Sequence, residues 1–248
     1  MKLLLVSDLH YTLRQYDWVL AQAVGYDAVV LAGDQLSVAA PVAVEAQIAA
    51  VRATLRRLAT LTRVFVCSGN HDLNARNAAG EKTADWLDAL RETGAVVDGG
   101  TAALAGPGPG GTVVTVLPWW DGPAARAASE ELLAAVDRPA GSRWVWVYHS
   151  PPESRLSWTG SRHYGDATIT EWIGRWRPDA VLCGHIHQAP FAPDGSWADT
   201  VGPTWVFNPG KQTGPVPTSV EIDLGAGTAR WRSMTGVEEI ALGALAGA

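Results

Sequence analysis

Six short apolar runs set what this chain can fold into: residues 3–6, 28–31, 64–67, 113–117, 144–148 and 180–183. Val, Leu and Trp dominate them, and they lack the polar alternation of a strand with one wet face. Each therefore reads as a strand covered on both sides, as in a parallel sheet flanked by helices. Helical patterns lie between them at residues 41–60, 84–91, 124–136 and 167–176. In the first of these, Val44, Ile48, Val51, Leu55 and Leu58 recur at helical spacing, with Arg52 and Arg56 opposite. Alternating strands and helices predict a layered α/β architecture. Beyond residue 183 the pattern changes. Residues 205–207, 220–224 and 229–232 read as short strands joined by Gly and Pro turns, with Gly225-Ala226-Gly227 as a hairpin turn. The Ala/Gly/Leu-rich end, residues 240–248, is expected to fray. No linker, charge block or repeat divides the 248 residues, so one domain spanning residues 1–248 is expected.

Charge and composition narrow the function. The net charge is −6 and no run of Lys and Arg forms a stripe, so a dedicated nucleic-acid-binding surface is not expected, although a nucleotide substrate stays open. The apolar run at residues 3–6 is too short for a signal-peptide core, and no stretch reaches transmembrane length. With only Cys67 and Cys183, no disulfide framework exists, and both thiols read as small core residues. A cytoplasmic location is the expectation. Two phosphate-loop look-alikes fail. The prolines in Gly106-Pro107-Gly108-Pro109-Gly110-Gly111 remove donors, and a strand follows where a helix should begin. Gly210-Lys211 lacks both the upstream glycine and the following Ser or Thr.

The chemistry sits just after the strands. Asp8 and His10 follow the first run, Gly33 and Asp34 the second, and Gly69, Asn70, His71 and Asp72 the third. His149 follows the fifth, and Gly184, His185 and His187 the sixth. In parallel sheets the carboxyl ends of the strands share one rim, where ligands bind. Five of the six histidines lie in these segments. The set offers imidazole, carboxylate and amide and no thiolate, which suits Mn, Fe or Zn. Taken singly, Asp34 fits a helix cap and Asn70 a turn residue. Together the residues point to a metal site.

Asp8-x-His10, Gly33-Asp34, Gly69-Asn70-His71-Asp72, His149 and Gly184-His185-x-His187 stand in the order of a known signature. The chain thereby resembles the calcineurin-like metallophosphoesterase superfamily, over about residues 5–187. The later Asn208-Pro209-Gly210 resembles a further recurrent element. The resemblance implies a four-layer αββα fold, in which two mixed β-sheets pack as a sandwich flanked by helices. It implies two divalent metal ions, one held by Asp8, His10, Asp34 and His187, the other by Asp34, Asn70, His149 and His185. The resemblance makes Asp34 the bridge and implies that a hydroxide between the ions would attack phosphorus in line. His71 is implied as the catalytic group that stabilises the transition state or protonates the leaving oxygen, with Asp72 orienting it. The sequence departs from the family at Ser37, where a second acidic residue is usual, which puts an outer contact in doubt and not the metal site.

A finer resemblance involves His149-Ser150-Pro151-Pro152, His163-Tyr164-Gly165-Asp166 and Arg177-Pro178. These are similar to a branch of small metallophosphoesterases with members active on phosphodiesters such as cyclic nucleotides. In that reading His163 and Asp166 line the site or orient a ligand histidine. Trp119 and Trp120 follow Pro118 at a strand end, and either stack a nucleobase or cover the core edge. Trp158 carries the same two readings. Trp144, Trp146, Trp172 and Trp176 are expected in the core. Arg14, Arg162 and Lys211 read as surface charges or as phosphate contacts. The expected activity is hydrolysis of a small, nucleotide-like phosphodiester. The rival enzyme is a phosphomonoesterase, and the rival non-enzyme a metal-binding scaffold. No membrane partner is expected.

Overall fold

The computed structural model describes residues 1–106 and 110–243. Residues 107–109 of the glycine–proline segment, and 244–248 of the segment expected to fray, lie outside the described residues. The first half runs β1 (Lys2–Val6), α1 (Leu13–Gln22), β2 (Ala28–Ala32), α2 (Val44–Ala59) and β3 (Arg63–Cys67). A small hairpin of β4 (Ala75–Arg76) and β5 (Lys82–Thr83) follows, then β6 (Val96–Val97), β7 (Thr101–Leu104), β8 (Thr112–Val116) and α3 (Pro123–Ala135). The chain continues through β9 (Arg143–Val147), α4 (Ala167–Trp176), β10 (Ala180–Leu182), β11 (Ala198–Val201) and β12 (Thr204–Phe207). It ends in the meander β13 (Ser219–Asp223), β14 (Thr228–Ser233) and β15 (Gly236–Ala241).

Two mixed sheets result. One has the order β15-β14-β13-β1-β2-β3-β6, the other β11-β12-β10-β9-β8-β7. In the first, β1, β2, β3 and β6 are parallel and the C-terminal meander adds antiparallel strands beside β1. In the second, β8, β9, β10 and β12 are parallel, with antiparallel β7 and β11 at its edges.

The two-residue period of a strand explains the layers. Leu3, Leu5, Val30 and Phe65 point inward and meet Val114, Val116, Val145, Val147 and Phe207 of the other sheet in one core. Their neighbours Leu4, Val6, Val29, Val64 and Val66 point outward, onto Tyr16 and Val19 of α1 and Val51, Leu55 and Leu58 of α2. On the far side Val113, Trp144, Trp146 and Val181 meet Leu133 of α3 and Ile169, Trp172 and Ile173 of α4. Four layers follow because both faces of both sheets are apolar. This is also why the runs showed no alternation.

The six runs are split, three and three, between the two sheets that the resemblance implies. Other expectations need correction. The helical pattern at 84–91 is a 3₁₀ segment, Asp85–Thr93, burying Trp86, Leu87 and Leu90. Helix α1 went unread because its buried stripe is only Gln15, Tyr16 and Val19. Strands β7 and β11 are edge strands with half-exposed, polar-containing sequences. The fraying expectation fails for residues 240 and 241, which pair with Ala229 and Thr228. No helix among the described residues is long and apolar enough to cross a membrane.

Leu5 is 0% exposed at the centre of the inter-sheet core. Leu5→Ala should lower unfolding stability by about 2–5 kcal/mol, through lost burial and an unfilled cavity. Urea denaturation checks this.

Candidate metal centre

Strands β1, β2 and β3 of one sheet and β9 and β10 of the other end on a shared edge. Their following loops converge there, tied by backbone hydrogen bonds. Asp8 N donates to Gly33 O (3.1 Å), His10 N to Asp34 O (3.0 Å), and Gly184 N to His149 O (2.9 Å). The loops turn sharply. Asp8, His10, Tyr11, Asp34 and His185 all have positive φ, between 42° and 69°. This left-handed conformation costs a non-glycine residue roughly 1–2 kcal/mol, and such strain concentrates at functional sites.

The side chains meet in two overlapping groups. Asp8, His10, Asp34 and His187 offer ligand atoms within 4.8 Å of one another, as do Asp34, His149 and His185. Asp34 belongs to both. His187 Nε2 is 3.0 Å from Asp8 Oδ1, and His10 Nε2 is 3.6 Å from Asp34 Oδ2. His149 Nε2 lies 3.3 Å from Asp34 Oδ2, outside hydrogen-bonding geometry. Glycines leave room for these contacts. A Cβ at Gly69 would lie 2.2 Å from Asp34 Oδ1, and one at Gly33 2.2 Å from His149 Nδ1.

The donors fit divalent cations. His149 Nε2 and Asn70 Oδ1 are buried without a hydrogen-bond partner, and buried polar atoms rarely go unpaired. His149 Nδ1 sits 2.7 Å from Ala32 O, which places a proton on that nitrogen and aims Nε2 into the cluster. His10 Nε2 and His187 Nε2 lie 3.1 Å apart, both aimed at the volume beside Asp8 Oδ1. Burial pushes His10 and His185 down to about 4, so both are neutral, the ligating form, at physiological pH. Burial pushes Asp8 and Asp34 upward, but the bond from His187 on Asp8 and the charge of His149 on Asp34 outweigh it. Both carboxyls stay below the ordinary range. Burial opposes protonation of His149 too, but Asp34 and Asp8 raise it to about 9. The cluster thus draws one positive charge to the point between its carboxylates.

His71 belongs to neither group. Its N–H donates to Asp34 Oδ1 (2.9 Å) and its ring meets His10 edge-on at 4.5 Å. Its Nε2 is 3.9 Å from Asp34 Oδ2, and the side chain is 25% exposed. Asp72 does not orient it, contrary to the sequence reading. The Asp72 carboxylate is fully buried and accepts from Leu36 N and Gly69 N, both at 2.8 Å. It ties the Asp34 loop to the Asn70–His71 loop. Burial, then Asp34, raises it to about 7.

The four expected substrate contacts separate. Trp119 lies beside the cluster, its ring 5.3 Å from that of His185 and 5.7 Å from that of His149. Trp120 stacks on Tyr148 at 4.2 Å and packs against Trp172, on the core side. Asp166 caps α4 through Thr168 N and Ile169 N and accepts from Tyr148 Oη. His163 is exposed, with Ser157 Oγ and Ser154 O at its Nδ1 and Trp158 against its ring. Neither of these two makes a contact with the ligand histidines. Composition alone could not separate a capping aspartate from one that lines the site.

Two supporting residues had no role assigned from sequence, although Asn208 stands in a motif noted there. Asn208 is 0% exposed and donates to Ile186 O (3.1 Å), fixing the loop that carries His185 and His187. Asp98 accepts from Ser68 N (2.8 Å), and Ser68 Oγ accepts from Trp119 N (2.9 Å), which links Trp119 to the Asn70–His71 loop. Asp98 lies far along the chain in an unremarkable turn, so only the fold joins it to the site.

Residues 1–224 match the sequence profile of the calcineurin-like phosphoesterase superfamily domain. Solved structures with similar folds include a dimetal phosphatase from Danio rerio, with TM-score 0.60 and 12% identity over 98% of this chain and 99% of that one. A protein from Thermus thermophilus has TM-score 0.58 and 17% identity over 97% of this chain and 98% of that one. A purple acid phosphatase from yellow lupin seeds has TM-score 0.58 and 12% identity over 97% of this chain and 53% of that one. No curated protein sequence matches at a significant level.

Asp72→Ala should leave the N–H groups of Leu36 and Gly69 without acceptors. The expected loss is roughly 1–3 kcal/mol for each orphaned donor, read by urea unfolding of the metal-free protein. An unchanged midpoint would show that the two loops hold together without it.

Proposed function

The chain belongs to the calcineurin-like phosphoesterase superfamily, and on that premise we propose that it hydrolyses a phosphodiester of a small, nucleotide-like molecule. The observation that carries the hydrolytic reading is Asp34, whose carboxylate is common to both ligand groups. Asp8, His10, Asp34 and His187 would hold one divalent cation; Asp34, Asn70, His149 and His185 would hold the other. Nitrogen and oxygen donors without thiolate suit Mn, Fe or Zn. A bound pair of such cations supplies a water of lowered pKa and neutralises charge on the phosphoryl oxygens.

The chain's own residues do the rest. The backbone N–H of His71 fixes Asp34 Oδ1, so the shared carboxylate presents a constant face. Neutral His10 and His185 bring donors without adding charge. The His71 ring, outside both ligand groups and open to solvent on one side, carries a proton to the ester oxygen that departs. Trp119 favours a substrate with two substituents. Its indole borders His185, and it also lines a neighbouring cavity of about 250 Å³ with Ser68, Asp98 and Pro118. We read that cavity, whose charged lining residues are Asp85, Asp88, Arg91 and Asp98, as room for an uncharged arm such as a nucleobase against the aromatic wall. Phosphomonoester hydrolysis is the second reading, favoured by the unpaired cationic side chain of Lys211 discussed below. The complete donor set speaks against a non-catalytic scaffold.

Turnover of bis-p-nitrophenyl phosphate and p-nitrophenyl phosphate by protein loaded separately with Mn, Fe or Zn tests this. Faster diester cleavage is expected, and preference for the monoester would select the second reading. Asp34→Asn should abolish turnover with every metal. His71→Ala should keep the metal content and slow turnover roughly 10²–10⁴-fold, the range for loss of general acid–base help. Loss of metal in that variant would instead make His71 a ligand.

A further inference from the structure

Lys211 follows the turn Asn208-Pro209-Gly210, and this turn is held from every side. Gly210 N donates to Asn208 Oδ1 (2.8 Å), Thr218 Oγ1 to Gly210 O (2.6 Å), and Trp231 Nε1 to Pro209 O (2.9 Å). Gly210 has φ +68°, and a Cβ there would lie 2.8 Å from His187 O. The turn therefore packs directly on the backbone of a ligand histidine. Lys211 N then donates to His187 O (3.1 Å), and Gln15 Nε2 holds Gln212 O (3.1 Å) just beyond it. The lysine side chain leaves a fixed backbone beside the ligand cluster.

That side chain is half-buried, so of the two readings the sequence left open, surface charge or phosphate contact, the first does not describe it. Its ammonium takes no hydrogen bond or ion pair among the described residues. A lysine that gives up part of its hydration normally gains a carboxylate partner. Asp8 and Asp34 are near enough to act on it, and it repels a charge on His10. Yet every ion pair of Asp8 and Asp34 among the described residues is with a histidine. Once divalent cations neutralise those carboxylates, the acceptor left for the ammonium is an anion that enters the site. Lysine serves as a phosphate-binding point charge in this way elsewhere.

We propose that Lys211 is a phosphate-binding residue whose ammonium contacts a non-bridging oxygen of the substrate phosphoryl group at the Asp8–His187 cluster. The assignment rests on reading that cluster as a phosphoester centre. It names a charge supplied by the chain itself, outside the metal ligands.

The test is calorimetric titration of metal-loaded protein with inorganic phosphate, for wild type, Lys211→Met and Lys211→Arg, with metal content measured in each. Methionine keeps the apolar stem and removes the charge. The expected result is roughly 10- to 100-fold weaker phosphate binding in Lys211→Met, the size of one charge-assisted hydrogen bond. Metal content should be unchanged, and Lys211→Arg should stay within a few-fold of wild type. Undiminished phosphate affinity in Lys211→Met overturns the assignment, as does loss of metal from it, which would make the lysine part of the metal site. Wild-type protein that binds metals but not phosphate overturns the phosphoester reading together with it.

Discussion

Two buried carboxylates that share one small volume are the constraint on which this structure turns. Asp8 is 0% exposed and Asp34 2%. Both lie against His10 and His149. Burying unpaired charge is expensive, and no Lys or Arg forms an ion pair with either among the described residues. The proximity of His149 and His187 offsets part of the cost. A divalent cation offsets it better, and the left-handed turns, the glycines at contact distance and the orphaned Asn70 Oδ1 and His149 Nε2 all make sense as the scaffold for one. The strain of those turns is tolerated because two sheets with complete cores hold their ends.

The outer support is as specific as the ligands. Ala32 O orients His149, Asp72 joins the Asp34 and His71 loops, and Asn208 pins the His185–His187 loop. None of these residues is in a ligand group, but each sets the direction of one that is. Outer contacts of this kind govern metal affinity nearly as much as the ligands do. Their placement also separates the two sheets' duties. One sheet supplies Asp8, His10, Asp34, Asn70 and His71, the other His149, His185 and His187, so the centre exists only where the sheets' edges meet.

Much of this was legible in the residues. The six apolar runs mark strands because burial on both faces removes polar alternation, and the ligand types follow them at once. That marked Asp8, His10, Asp34, His149, His185 and His187, which the fold brings into two overlapping groups. The division of the runs between two sheets was not legible from periodicity, because a strand's own sequence does not say which strand lies beside it. The resemblance supplied it. Edge strands β7 and β11 carry too few buried residues to stand out. Asp72, Asp166 and Lys211 show the other limit. Each has a charged side chain beside a motif, and one ties loops by backbone N–H groups, one caps a helix and one stands unpaired near the carboxylates. Only contacts made across the fold distinguish them.

The central claim is that Asp34 joins two divalent cations in one centre. Electron paramagnetic resonance of the manganese-reconstituted protein, with metal content measured on the same sample, tests it most directly. The account predicts two manganese ions per chain with the spectrum of an exchange-coupled pair, and loss of that coupling in Asp34→Asn. One ion per chain, or two ions with the spectrum of isolated manganese, would contradict it.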